Sequence, residues 1–291
     1  MPEILEIYRY KNFLRKKLKS IDEINILKGR YVTHGPFPLY NEIKKQLPTK
    51  VLSVDSKGKL IYITLENEYY LLITLGLKGG FVYKKNDKFT YVEQNYGIET
   101  ADSIQNNLNV EFKTKNGSVY FTDTISYGTI KVIKGNKELL KKLNSIGPDI
   151  MDINTTFAVF KDRIKLKPNL NKPIGNVLMN QKVISGSGNY MRSDTLWMSA
   201  ISPFRKVSDL TDIELLKIYK SVRILTWGNY NREEAIRLKI IGKNSKIPSD
   251  YNREFFVYQE EKDIKGNIVE KDELYEGSQK RSIYWVPTIQ K

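Results

Sequence analysis

Residues 179–197, MNQKVISGSGNYMRSDTLW, place a Gly-Ser-Gly turn between two stretches with helical periodicity. At the start of a helix the first backbone amides lack partners within the helix, and glycine allows an anion to approach them closely. The turn therefore predicts a site for one anionic oxygen, bound by the amides of Gly188 and Asn189 and by the Asn189 carboxamide. An ordinary corner between two packed helices would give the same pattern.

Two common phosphate-binding loops do not fit this turn. A dinucleotide-binding loop needs a preceding strand and a third glycine, and a Walker loop needs Lys-Ser or Lys-Thr after its second glycine. Here the second glycine is followed by Asn189. Because the chain carries 48 Lys and Arg against 33 Asp and Glu, a net charge of +15, a DNA backbone phosphate fits the predicted site.

The composition excludes several chemistries. The chain has 291 residues, no Cys and a single His, His34, for which no role is predicted. Without cysteine there is no disulfide framework, thiol nucleophile or thiolate metal site, and a catalytic metal would have to be held by carboxylates. We expect neither a metal nor another cofactor. The longest apolar run, residues 69–77, is far shorter than the roughly 18 residues that indicate a membrane span, so no membrane partner is expected.

The hydrophobic pattern changes period along the chain. Short alternating or apolar segments between turns run from residue 50 to about residue 132, with Asn116-Gly117 as a hairpin signal, and predict a β-sandwich or barrel. Helical periodicity follows from residue 137, with Pro203 expected to stop the helix after the Gly-Ser-Gly turn. The tail from residue 255 is strand-like again, in FFVYQEE and RSIYWVPTIQ. An amphipathic N-terminal helix should pack on the β domain through Ile4, Ile7, Tyr8, Leu14 and Leu18.

These patterns predict an α+β protein with three domains. The first, residues 1–133, is the N-terminal β-sandwich with its helix. The second, residues 134–250, is helical and contains the Gly-Ser-Gly turn. The third, residues 251–291, is a small β-hairpin.

Residues 174–197, IGNVLMNQKVISGSGNYMRSDTLW, resemble the helix-two-turn-helix motif of the formamidopyrimidine-DNA glycosylase/endonuclease VIII (Fpg/Nei) family of base-excision repair enzymes. The family pattern is I-x-x-x-L-[LM]-[DN]-Q/N-x-x-[VI]-x-G-[IV]-G-N-x-Y-x-x-E-x-L-[FW]. The chain departs from it with Met191 at the Tyr position and Asp194 at the Glu position. Met1-Pro2-Glu3 and Glu6 are similar to the family opening M-[PEV]-E-x-P-E in the Pro-Glu pair and the second Glu.

Further resemblances follow in the family's order, so the match spans nearly the whole chain. Gly58-Lys59 resembles its Gly-Lys at the start of a strand. Residues 71–79, LLITLGLKG, resemble L-x-x-H-L-G-M-S-G, with Leu77 at the Met position. Residues 123–128, DTISYG, resemble D-P-R-R-F-G without either arginine, and Tyr127 takes the Phe position.

The C-terminal end departs from the family in an informative way. Many members end in a four-cysteine zinc finger that closes with C-P-x-C-Q, and this chain reads Val286-Pro287-Thr288-Ile289-Gln290 there. The resemblance therefore implies a zincless finger of the kind found in some Nei-like relatives, in which hairpin packing replaces the metal. Arg281 would be the DNA-binding arginine of this finger.

The resemblance implies a bifunctional DNA glycosylase and AP lyase that excises oxidised bases and cleaves the strand by β,δ-elimination. Removal of Met1 would expose the Pro2 amine as the nucleophile, and Glu3 would act as the general acid and base. Lys59 would hold a phosphate beside the lesion, and Glu6 would lie near the base or the nucleophile. The DNA-binding residues would be Gly188, Asn189, Arg281, Leu77 and Tyr127.

Two departures from the family pattern bear on which damaged base the protein excises. The missing arginines before Tyr127 remove the expected readers of an orphaned cytosine, and Gly175 replaces a family lysine. We therefore expect a Nei-like preference for oxidised pyrimidines and hydantoins over 8-oxoguanine.

The expected partner is damaged DNA, as a duplex or as a single strand, bound by a monomer that works wherever the genome is replicated: the cytoplasm, nucleoid, nucleus or a viral factory. Two alternatives stay open, a catalytically inactive damaged-DNA binding protein and a basic RNA-binding protein.

Overall fold

The computed structural model describes residues 2–92, 101–244, 255–276 and 279–291. Within them the chain forms two compact units, Met1–Ser145 and Ile146–Lys291. Helix α5, Asn136–Asn144, belongs to the first unit. The predicted boundary at residue 250 lies outside the described residues, and the three domain ranges stay predictions.

The first unit contains two antiparallel five-stranded sheets. One sheet has the order β1-β3-β4-β5-β10, with β1 Ser20–Ile21, β3 Thr49–Lys57, β4 Leu60–Leu65, β5 Tyr69–Thr74 and β10 Thr129–Lys134. The other has the order β2-β8-β9-β6-β7, with β2 Glu23–Ile26, β8 Leu108–Thr114, β9 Gly117–Thr122, β6 Gly80–Lys85 and β7 Lys88–Tyr91. Short helices α2 Arg30–Thr33, α3 Tyr40–Lys44 and α4 Ala101–Asn106 lie between strands.

One apolar core joins the two sheets, and the predicted β-sandwich is confirmed. The core includes Ile63 from one sheet and Phe112 and Phe121 from the other, each no more than 2% exposed. Full burial of a side chain of this size stabilises the fold by about 1.5–3 kcal/mol. The Asn116-Gly117 hairpin is also as expected, because Thr114 and Gly117 close the turn between β8 and β9.

Helix α1, Ile4–Lys17, packs on this core as the sequence predicts. Its buried face includes Ile4, Ile7 and Leu14, which recur at the spacing of one helical face. At the other end of the helix the Arg15 side chain donates from Nε to the Val54 carbonyl of β3 at 2.6 Å and also contacts the Asp55 carboxylate. These contacts hold the helix, and with it the start of the chain, on the first sheet.

The second unit is helical with a terminal hairpin, which confirms the predicted architecture. The helices are α6 Phe157–Ile164, α7 Ile174–Val177, α8 Asn189–Met198, α9 Asp212–Tyr230 and α10 Arg232–Arg237, and the hairpin strands are β11 Glu270–Glu276 and β12 Gln279–Trp285. Within the described residues no helix is long and apolar enough to cross a membrane.

Two local predictions in this unit are wrong. The helix expected to run through Ile184 ends after the single turn of α7, because Asn180 accepts the Lys182 amide on its side chain at 3.0 Å and so competes with helical hydrogen bonding. Helix α8 ends at Met198, before Pro203, because Ala200 adopts a left-handed conformation with φ of 57°.

Candidate functional site

The start of the chain is built around two buried carboxylates. Pro2 is half-buried, Glu3 is 1% exposed and Glu6 is 6% exposed. Glu3 occupies the N-cap position of α1, and its backbone amide donates to Glu6 Oε2 at 2.8 Å. Negative charge is favourable at a helix N-terminus, so the helix itself stabilises this arrangement. Glu6 thereby fixes the backbone at Glu3, the residue that directly follows Pro2 in the chain.

The two lysines of the first hairpin differ in their surroundings. Lys57, at the end of β3, donates to the carbonyl of Leu143 in the last turn of α5 at 2.9 Å, where a cation suits the helix dipole. Lys59 follows Gly58, whose φ of 54° makes the turn into β4, and its side chain is half-buried. Lys57 therefore has a structural contact, and Lys59 lies in the turn, where the resemblance expects a phosphate-binding lysine.

The loops that carry Leu77 and Tyr127 are in close contact. Gly76 has a φ of 60°, and a Cβ at this position would lie 2.6 Å from the Gly128 nitrogen and 2.6 Å from the Tyr127 carbonyl carbon. Only glycine fits such an approach. The contact brings together two large apolar residues that stay exposed, Leu77 at 40% and Tyr127 at 65%.

Asp123 holds the second of these loops in shape. Its buried carboxylate accepts the amide of Ile125 at 3.2 Å and that of Gly128 at 2.5 Å, and its own amide donates to Asn109 Oδ1 at 2.5 Å. Sequence reasoning missed this role, although an aspartate that opens a turn two residues before the amide it binds is a recognisable signal. The exposed Tyr127 therefore stands on a loop with a defined backbone.

In the second unit Gln181 shapes the Gly-Ser-Gly turn. The Gln181 side chain accepts the Gly186 amide on Oε1 at 2.9 Å and donates from Nε2 to the Ser187 carbonyl at 2.8 Å. Gly186 itself has a φ of 107°. Gly188 is the N-cap residue of α8, and Asn189 is its first residue. The turn therefore delivers its two predicted anion-binding residues to a helix N-terminus.

Arg192 brings Asn189 and the hairpin together. Its guanidinium is buried, with the residue 1% exposed, and Nη2 donates to Asn189 Oδ1 at 2.5 Å and to the Ser282 carbonyl at 2.6 Å. Ser282 follows Arg281, whose side chain is exposed on β12. Arg192, which sequence reasoning did not identify, thus contacts the predicted phosphate-binding residue Asn189 and the residue next to Arg281.

Close packing explains the glycine at position 175, where the family has a lysine. A Cβ there would lie 2.5 Å from Leu274 Cδ1 of β11 and 3.0 Å from the Pro203 carbonyl oxygen. The neighbouring Asn176 donates from its side chain to the Tyr275 carbonyl at 2.7 Å. A side chain at position 175 would therefore require the Leu274 side chain of the hairpin to move.

The hairpin is closed by amide and carboxylate hydrogen bonds. Val286, at a thiolate position of the family, is fully buried, and its amide donates to Gln290 Oε1 at 2.7 Å, while Gln290 Nε2 donates to the Ile201 carbonyl at 2.9 Å. Among the described residues no group of three or more His, Asp or Glu could hold a metal. The residues at this end of the chain do not fit zinc.

Asp263 organises the turn that precedes the hairpin. Its carboxylate accepts the Trp197 indole at 2.9 Å and the amides of Lys265 and Asn267 at 2.9 and 2.8 Å. Burial alone would raise the pKa of Asp263, but the hydrogen bonds from Asn267, Trp197 and Lys265 together lower it below its ordinary value. The charged carboxylate thus links α8 to the Gly266-Asn267 turn.

The predicted strand FFVYQEE is wrong, and Asp194 gives the reason. Its fully buried carboxylate accepts the backbone amides of Phe256, Val257 and Tyr258 at 3.2, 3.0 and 3.3 Å. These amides bind a side chain on α8 and do not form a ladder with another strand. The shorter Asp at the family's Glu position is therefore a structural anchor for the segment that enters the terminal hairpin.

Replacement of this anchor should destabilise the second unit. Asp194→Ala leaves the amides of Phe256, Val257 and Tyr258 without their acceptor, which we expect to cost about 3 kcal/mol, since hydrogen bonds to charged groups are strong and unsatisfied buried donors are expensive. Thermal and urea unfolding of the full chain would measure the loss. Asp209→Ala, on a largely exposed residue, is the matched control and should change stability by less than about 0.5 kcal/mol. Equal stability of the two variants would contradict the anchor.

Three family models match the chain along most of its length. They are the formamidopyrimidine-DNA glycosylase N-terminal domain at residues 1–130, its H2TH domain at residues 146–234 and its C-terminal domain at residues 245–291. Formamidopyrimidine-DNA glycosylase from Rickettsia peacockii is 30% identical over 267 residues, which cover 90% of this chain and 89% of that protein. The Rickettsia massiliae protein of the same name is 29% identical over 265 residues, covering 90% and 87%.

Solved structures with the same fold contain damaged DNA. A complex between Lactococcus lactis Fpg and DNA with an abasic site aligns over the full length of both chains with a TM-score of 0.73 at 18% identity. A complex of the same L. lactis protein with DNA that contains an oxidised pyrimidine aligns equally fully, with a TM-score of 0.74 at 20% identity. The matched domains, their order along the chain and the identity to the curated relatives establish that this chain belongs to the formamidopyrimidine-DNA glycosylase family, whose members are DNA glycosylases of base excision repair.

Proposed function

We propose that the protein is a bifunctional DNA glycosylase and AP lyase that uses the Pro2 amine as its nucleophile. The observation that carries the proposal is the pair of carboxylates at the start of α1, where buried Glu3 follows Pro2 and Glu6 fixes the Glu3 amide at 2.8 Å. Family membership supports the glycosylase activity, and L. lactis Fpg, which has the same fold, is bound in solved structures to DNA with an abasic site and to DNA with an oxidised pyrimidine.

The Pro2 amine suits this chemistry once Met1 has been removed. An α-amine titrates at about 7.7–8.0 against about 10.4 for a lysine, so a useful fraction is neutral at physiological pH. The secondary amine forms a bond to C1′ of the damaged nucleotide as the base departs with the electrons of the glycosidic bond. Opening of the sugar gives an iminium ion, which draws electrons away from C2′ and permits β-elimination and then δ-elimination of the two phosphates. Hydrolysis of the iminium releases Pro2.

Glu3 is the proposed proton carrier in this sequence. Glu3 directly follows Pro2 and is 1% exposed, and its carboxyl group is proposed to protonate the sugar oxygen as the ring opens and to accept a proton as the amine adds. Lys59 is proposed to bind the phosphate beside the lesion. Asn189, the Gly188 amide and Arg281 are proposed to bind further phosphates of the damaged strand.

Leu77 and Tyr127 are proposed to fill the space that a flipped base leaves in the duplex. Their side chains are exposed and apolar, and they stand on two loops that touch through Gly76. An exposed Ile125, at 39%, adds to the same loop. Apolar side chains that insert between base steps compensate part of the unstacking cost of base flipping.

The proposed substrates are oxidised pyrimidines and hydantoins, in a Nei-like preference. The loop at residues 123–128 contains no arginine to read an orphaned cytosine and exposes Ile125 and Tyr127, and a glycine stands at the family lysine position 175. In single-turnover assays we expect thymine glycol to be excised at least about tenfold faster than 8-oxoguanine opposite cytosine, a difference of about 1.4 kcal/mol in activation free energy. Faster release of 8-oxoguanine would contradict this preference.

Borohydride trapping tests the proposed nucleophile. The protein should form a covalent complex with a duplex that contains one abasic site, because borohydride reduces the iminium to a stable amine. An undamaged duplex and a reaction without borohydride are the controls. Tight binding with no trapped complex would mean a damaged-DNA binding protein without lyase activity, and equal binding of RNA would favour a general basic RNA-binding protein. Action as a monomer at the site of genome replication stays a prediction.

A further inference from the structure

We infer that Arg192 is a positioning residue for DNA binding, which orients the Asn189 carboxamide and fixes it relative to the Arg281 strand. The inference rests on the proposed function, since it assumes that Asn189 and Arg281 contact phosphates. Arg192 itself is 1% exposed, so its guanidinium is too deeply buried to reach DNA.

The chemistry of the Arg192 contact sets the orientation of Asn189. A guanidinium has only donors, so the atom of Asn189 that lies 2.5 Å from Nη2 must be the carbonyl oxygen, Oδ1. The amide nitrogen of Asn189 is then directed away from the guanidinium. Because Asn189 is half-buried at the N-terminus of α8, its NH2 group is available as a donor beside the helix amides, and a phosphate oxygen can only accept.

The same guanidinium fixes the hairpin. Nη2 also donates to the Ser282 carbonyl at 2.6 Å, and Nη1 donates to the Gly175 carbonyl at 3.3 Å. One planar group therefore joins the first residue of α8, the start of α7 and the strand residue next to Arg281. A lysine could not make these contacts together, because its ammonium is a point donor without the fork of a guanidinium.

The test is a double-mutant cycle on the dissociation constant for a duplex with an abasic-site analogue. Asn189→Ala should weaken binding by about tenfold, the loss of one charge-assisted hydrogen bond. Arg192→Lys should weaken it to a similar extent. The double variant should bind clearly more tightly than the product of the two single effects predicts, because part of the effect of Arg192 acts through Asn189.

A second readout separates positioning from general damage to the fold. At saturating protein, the rate at which the borohydride-trapped complex forms should be unchanged in Arg192→Lys, because phosphate binding is impaired and the reacting groups are not. Arg223→Lys is the matched control, since Arg223 is also a buried arginine of the second unit, 3% exposed, that donates to the carbonyls of Ile150 and Asp152 at 3.0 and 2.8 Å. The change in the dissociation constant caused by Arg223→Lys should multiply with the change caused by Asn189→Ala, because the two residues are independent.

If Arg192→Lys does not fold, Arg192→Gln keeps a planar amide donor without the buried charge and enters the same cycle. Multiplicative effects of the Arg192 and Asn189 substitutions, or unchanged binding in a folded Arg192 variant, would overturn the inference while the proposed function stands. Unchanged binding in Asn189→Ala would remove Asn189 from the proposed interface and overturn the inference with it. A trapped complex in that variant would still support the proposed nucleophile.

Discussion

One extra residue in front of Pro2 should abolish the borohydride-trapped complex while leaving the dissociation constant for abasic DNA within about threefold of the unmodified protein. The added residue converts the Pro2 nitrogen into an amide, whose lone pair is delocalised into the carbonyl group and cannot attack C1′. Binding should survive, because the proposed phosphate contacts come from Lys59, Asn189 and Arg281. Trapping and a binding titration on the same duplex measure the two quantities.

Reversal of the block is the control for this experiment. An N-terminal extension that ends in a protease site can be cut to restore Pro2 as the first residue, and mass spectrometry confirms the processed terminus. Trapping should return with cleavage. A complex that forms in the uncut protein would show that another amine, such as a lysine, is the nucleophile.

Glu3→Gln should lower the rate of base excision by about 10²–10⁴, the usual contribution of a positioned general acid and base. Glutamine preserves the size of this buried side chain, which is 1% exposed, and removes its capacity to carry a proton. DNA binding should be retained. Single-turnover excision from a duplex with one thymine glycol, with a parallel binding titration, measures the effect.

The matched control is Glu42→Gln, on an exposed residue in the first turn of α3. It makes the same chemical change outside the proposed site, so excision should proceed at the normal rate. Glu3→Gln with that same normal rate would remove Glu3 from the proposed mechanism. A loss of binding in Glu3→Gln would instead indicate that the buried carboxylate supports the fold of the α1 N-terminus.

The fold was predictable where local pattern and burial agree. Strand β4, Leu60–Leu65, lies within the region of short alternating segments expected from residue 50 to about residue 132, and α8 begins directly after the Gly-Ser-Gly turn. Two of the failures share a cause, because in each a side chain captures backbone groups that the periodicity assigned to a helix or a sheet. Asn180 takes the Lys182 amide from a helix, and Asp194 takes the amides of residues 256–258 from a strand.

From the sequence, only those candidate site residues that belong to a recognisable motif could be named. Pro2, Glu3, Lys59 and Asn189 could be named because each belongs to a sequence pattern with a stated chemistry. The residues that hold the site were missed, because the roles of Gln181 and Arg192 depend on atoms that are distant in the chain or hidden in a turn. The Ser282 carbonyl lies 90 residues from Arg192, and no local pattern contains that contact.

The closure of the terminal hairpin by Gln290, Asp263 and buried Val286 has a consequence for the conditions under which the protein can work. Peroxide and other oxidants convert thiolates to sulfenic and sulfinic acids and so release zinc from cysteine sites. Amide and carboxylate hydrogen bonds have no such reaction, and chelators remove nothing from them. The hairpin that carries Arg281 should therefore keep its structure during the oxidative stress that creates damaged bases. It needs no supply of metal from the cell.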